Sequence, residues 1–206
     1  MKPESTAIAR RCGLAAAAGA TIAAAGIGAE LLHRVEEGSS VENVPLFVLY
    51  LGSYALGMAL LVVAIVGLRR LHAAEGAEVG RAGRIGFRLA ASGAVAHVVF
   101  AAVMVVSALA TGETVGAAFL LFALGFLALI VGQLLLAVGL RRGGIVGRAW
   151  TAPVAGLAAA AIAIATPVDV LHDLALFLFF GSWVVLGIVV LARSAAGRSS
   201  TMGAWS

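Results

Sequence analysis

Charge is scarce in this chain, and positive charge is almost missing from one side of it. Charged residues make up 12% of the 206 positions, against roughly 25% in an ordinary soluble domain. Cysteine is nearly absent too. Cys12 stands alone, which excludes an internal disulfide, a Cys-x-x-Cys redox pair and a cysteine zinc cluster. No apolar lipobox precedes it, so lipidation there is not expected. Phosphate-binding loops, His-Glu-x-x-His and Gly-rich nucleotide fingerprints are missing. Gly52-Ser53 and Gly181-Ser182 lack the Gly-x-Ser-Gly context of an intramembrane serine protease, and His97 has no second histidine at its depth for a bis-histidine haem. The longest connections, Arg34–Glu42 and Arg69–Arg84, are too short to hold a catalytic domain, although the second could form a short surface helix.

Long uncharged stretches fill the space instead. Between charged residues run Cys12–Ala29, Asn43–Leu68, Leu89–Gly112, Thr114–Leu140, Ala149–Val168 and Leu174–Ala192, of 18, 26, 24, 27, 20 and 19 residues. About 20 apolar residues cross a bilayer as a helix. A soluble globule of this size has too much surface to hide six such runs. A membrane barrel would show alternating segments of about 10 residues. The expectation is an all-α polytopic membrane bundle in one domain. Its six transmembrane helices fall near 12–32, 45–68, 86–110, 116–140, 150–167 and 169–192.

Thirteen of the fourteen basic residues fall in alternate connections, at the N-terminus, after the second and fourth helices, and in the tail, leaving Arg34 on the other side. Short basic loops stay in the cytoplasm, so both termini are expected there, in a bacterial cytoplasmic membrane. The net charge of +4 then needs no nucleic-acid partner, because an anionic leaflet accounts for basic loops. Acids show the reverse bias, with Glu30, Glu36, Glu37, Glu42, Glu113, Asp169 and Asp173 at the outer side. Arg10-Arg11 before an alanine-rich run has signal-peptide features, and faintly those of a twin-arginine signal. The run is long for a signal core, so an uncleaved first helix is the reading adopted.

Three serial hairpins are suggested by the Gly-Leu-Arg-Arg endings at Gly67–Arg70 and Gly139–Arg142, although the positive-inside rule alone produces such ends. The first and fifth helices are rich in Ala, and small residues mark helix interfaces. They are therefore expected in the middle of the bundle. The Leu, Val and Phe of the second, fourth and sixth, including Phe119–Phe126 and Leu174–Phe180, are expected to face lipid. The tail from Ser194 is expected to be disordered.

Polar groups at membrane depth carry the functional expectations. His97, Tyr54, Ser53, Ser182 and Gln133 could form a polar path or pocket; alternatively a neutral His97 simply locks two helices together. At the outer boundary, Glu30 and His33 share one helix face, as do Asp169, His172 and Asp173. Carboxylate and imidazole at such spacing suit a divalent cation. Asp169 reads equally well as an N-cap.

Arg141–Trp150, RRGGIVGRAW, followed by a small-residue helix, resembles a loop of uncharacterised six-helix bacterial membrane proteins. Gly147 stands where that loop carries a proline. The resemblance implies a fold and no activity. Three functional readings follow from the residues. The leading one is a binding, accessory or transport-type component acting on a small molecule or ion. The others are a metal-dependent enzyme with an outer-face site, and a structural subunit packing on another membrane protein.

Overall fold

The computed structural model describes residues 2–37, 44–164 and 169–202, with side chains described over 2–32, 44–158, 161, 174 and 176–196. Six helices follow one another: α1 (Pro3–Glu37), α2 (Val44–Ala74), α3 (Gly80–Thr111), α4 (Ala118–Gly143), α5 (Thr151–Ile164) and α6 (Asp169–Met202). A 3₁₀ turn, Gly147–Trp150, leads into α5. Five of the six are long and apolar enough to cross a membrane. The described part of α5 has 14 residues, a rise of about 21 Å.

Most helices outrun their uncharged stretches, because a charge ends an apolar run without ending a helix. α1 begins nine residues before Cys12, with Pro3 at its first position and Glu4 in its first turn, both favourable at a helix N-terminus. α2 continues to Ala74, so only Glu75–Val79 separates it from α3, in place of the expected surface helix. The tail expected as disordered is helical to Met202, and Ser194 on it is buried, its hydroxyl donating to the Leu191 carbonyl at 2.7 Å. Gly112 and Gly144 close α3 and α4 in the left-handed conformation, with φ of 71° and 69°.

Each helix packs on its neighbours in the chain, and α6 returns to α1, so the six form a ring whose slightest contact is α4 with α5. The Ala-rich α1 and α5 are therefore members of the ring, not its centre. The inside of the seams is built from small residues and the outside from large ones. An added Cβ on Gly83 would lie 2.7 Å from the Cα of Gly139, and one on Gly93 would lie 2.6 Å from the carbonyl of Gly125. Such backbone-to-backbone approach is how apolar helices associate where no hydrophobic drive separates them from their surroundings. Leu120, Leu124, Leu127 and Leu134 of α4 face outward, as expected. Phe179 and Phe180 of α6 do not: they are 3% and 0% exposed, because they share faces with buried Ser182 and Trp183 three residues on.

Four chain segments meet at one end of the ring. The Lys2 ammonium donates to the Ala74 carbonyl at 3.3 Å, Gly80 lies against Arg142, Gly143 lies against His72, and the Arg193 guanidinium donates to the Ile145 carbonyl. The N-terminus, the two turns and the last part of α6 thus share a basic end. Glu75 belongs to it, its carboxylate accepting the Lys2 N–H at 3.4 Å.

Candidate functional site

His97 sits on the α3 face that meets α4, opposite Gly125, where a Cβ would come within 3.1 Å of its Nδ1. It is completely buried. Nδ1 lies 2.8 Å from the Gly93 carbonyl one turn back. A carbonyl only accepts, so Nδ1 carries the proton and Nε2 presents a lone pair. Nε2 has no hydrogen-bond partner. Rings enclose the imidazole edge-on: Phe122 at 5.0 Å, Tyr54 at 6.0 Å and Phe126 at 6.4 Å between centroids. Tyr54 in turn meets Phe180 of α6 at 6.1 Å, so side chains from α2, α3, α4 and α6 fill the centre.

Of the expected polar set, Tyr54 stands against His97, and two other members lie elsewhere. Ser53 donates to its own helix at the Tyr50 carbonyl, 2.8 Å away, and faces Gly26 in the α1–α2 seam. Ser182 donates to the Phe179 carbonyl at 2.6 Å and faces Gly156 in the α5–α6 seam. A residue next to an inward-facing one on a helix points about 100° away, which is why Ser53 cannot share the direction of Tyr54.

Gln133 is buried on α4 between Leu129 and Leu136, with neither its amide nitrogen nor its oxygen partnered. Trp183 of α6, fully buried with its indole N–H unpartnered, joins the same interior, a polar role that an indole in an apolar run does not announce. Phe180 meets Tyr54, and Trp183 follows it by three residues, about one turn further toward the basic end than Phe180. Gly132 packs on Ala90, seven residues before His97, so Gln133 lies about 10 Å nearer that end. His72 falls in the Arg69–Arg84 connection, expected at the surface. It closes the basic end instead, buried at 1% exposure with Nδ1 bonded to the Leu68 carbonyl at 2.8 Å and Nε2 unpartnered. Gly143 and Phe87 cover it.

A cleft of about 630 Å³ opens between α4 and the start of α5, lined by Leu134, Ala137, Arg141, Arg142, Trp150 and Val154. Ala137 lies one turn from Gln133. Arg141 lies over the Trp150 ring at 5.3 Å, a cation–π contact at the cleft mouth.

At the opposite end, Glu30 is 3% exposed on α1. α1 and α6 remain together as far as Gly28 and Phe177. The side chains of His33, Asp169, His172 and Asp173, the rest of the expected cation site, lie outside the described residues. Among the described residues no three His, Cys, Asp or Glu side chains gather for a metal. No family model, no curated protein and no solved structure matches the chain.

Proposed function

We propose that this chain is a multi-pass protein of the bacterial cytoplasmic membrane, with six spans in three serial hairpins, α1 retained and both termini cytoplasmic. In this reading it is a transport-type component that takes a small, uncharged, hydrogen-bonding solute along its interior. The observation that carries the reading is the set of unpartnered buried polar atoms at His97 Nε2, Trp183 Nε1 and both amide atoms of Gln133. Buried polar groups in native proteins are nearly always hydrogen-bonded. Leaving one unmade costs about 1–3 kcal/mol, and the cost is not relieved by lipid. A guest supplying donors and acceptors would satisfy all four atoms, a water chain in the resting state and the solute in passage.

The route in this reading enters at the α4–α5 cleft, where the ring closes least, passes Gln133 and Trp183, and reaches His97 beside Tyr54. His97 contributes an acceptor of fixed direction, because its Nδ1 proton is committed to Gly93. The aromatic wall admits only something narrow, and the fully buried His97 corresponds to the closed state.

Proteoliposomes subjected to osmotic shock test this directly, with light scattering following water, urea and glycerol. At least one of the three should cross faster than in protein-free vesicles. Gln133→Leu and His97→Phe should each return that rate to within about twofold of the empty-vesicle value. Permeability no greater than in empty vesicles for all three solutes, or unaffected by either variant, would remove the transport reading.

A further inference from the structure

Two apolar grooves flank α2 on the outer surface of the ring, next to the basic end. One, of about 560 Å³, lies between α2 and α3. Its floor is Ile65, Val66, Phe87 and Ala91, and its mouth carries Arg69, Arg70 and Arg88. The other, of about 340 Å³, lies between α1 and α2, with Val62 and Cys12 along it and Arg11 and Arg70 at its mouth. Val66 and Arg70 belong to both, so the grooves form one saddle across α2. All four arginines are exposed, and none makes an ion pair with a carboxylate among the described residues.

We infer that this saddle binds an anionic phospholipid with two phosphates and four acyl chains. The phosphates sit among Arg11, Arg69, Arg70 and Arg88, and the chains lie in both grooves. Charge complementarity selects the head. Guanidinium forks pair phosphate oxygens bidentately, and a single-phosphate lipid would leave most of the four cations uncompensated. Geometry selects the tails, because the apolar floors run from the arginines toward the middle of the bundle on either side of one helix. Basic sites between membrane helices at the cytoplasmic face commonly hold such headgroups. The inference rests on the bundle spanning a bilayer and not on the transport reading.

Native mass spectrometry of the full chain in detergent tests it, with a diphosphatidyl lipid, phosphatidylglycerol and phosphatidylcholine added in turn. The diphosphatidyl lipid should bind about 10-fold more tightly than phosphatidylglycerol, and phosphatidylcholine should bind weakest. Arg70→Gln with Arg88→Gln should weaken the diphosphatidyl lipid about 10-fold or more. Arg148→Gln, a charge removed at the same end but outside both grooves, should leave it unchanged, and melting temperatures should show all variants folded. Equal binding of the three lipids would overturn the inference. So would an equal loss with Arg148→Gln, or full displacement of the lipid by millimolar inorganic pyrophosphate.

Discussion

Gly147 carries more of the basic end than its size suggests. Its φ is 55°, a region that proline's ring cannot reach and that other residues occupy only at a cost. The space where its Cβ would be built is taken by Nη2 of Arg193, 2.5 Å away. The same guanidinium donates to the Ile145 carbonyl, so the glycine lets α6 fasten the α4–α5 turn. The proline that the resembling loop would place here is thus incompatible with this turn. Gly147→Pro should destabilise the protein by about 1–3 kcal/mol, from backbone strain and from the displaced Arg193 contact. Thermal unfolding in detergent should show a lower midpoint than for Gly144→Asn, a change that keeps a left-handed position tolerable. An unchanged midpoint for the proline variant would show that the turn is not held by Arg193.

At the scale of elements, α3 and α4 are joined through backbone, and glycines are not equivalent there. A Cβ on Gly93 would meet the Gly125 carbonyl, the Leu129 nitrogen and the Leu129 Cα at 2.6, 2.7 and 3.0 Å. None of those atoms can swing aside, so Gly93→Ala must push the helices apart and should cost about 1–3 kcal/mol. Gly52 and Gly181 have open space in the same position. Alanine there should be neutral or better, since it is the stronger helix former by up to about 1 kcal/mol. Equilibrium unfolding in mixed detergent micelles separates the three variants, and equal losses from all of them would contradict the close α3–α4 approach.

The same elements show what could be read without a structure. Apolar runs located every helix, and small residues signalled close seams, because both follow from composition along one chain. The direction of a side chain within the ring did not follow. Tyr54 and Ser53 are adjacent in sequence and serve different seams. Phe180 looked like a lipid-facing residue and fills the centre. His72 lies in the Arg69–Arg84 connection, where a short surface helix is expected, and it is buried because Gly143, more than 70 residues away, leaves room for its ring. Each of these depends on which helix stands opposite, which a single sequence with no internal contact signal does not state.

Across the whole molecule, charge and packing divide along the same axis. The contacts of Lys2 with Ala74, Gly80 with Arg142 and Arg193 with Ile145 bring four separate segments to one end. The basic residues counted on those segments gather with them. Glu30 marks the other direction along α1. Packing alone would be satisfied by either orientation in a membrane. The thirteen-to-one distribution of basic residues breaks the tie, since basic loops resist translocation while acidic ones contribute little. The basic end should therefore face the cytoplasm, and a reporter active only outside the cytoplasm should stay silent when fused after Ser206. The same reporter placed between residues 38 and 43, in the connection carrying few bases, should be active. Because α6 ends at the basic end beside the N-terminus, and α1 runs from that end toward residues 38–43, the two fusions must disagree. A strong signal from the Ser206 fusion with silence from the fusion at 38–43 would invert the protein, and with it the assignment of the arginine saddle to the cytoplasmic leaflet. Signals from both would mean that the ring does not form with α6 returning to α1.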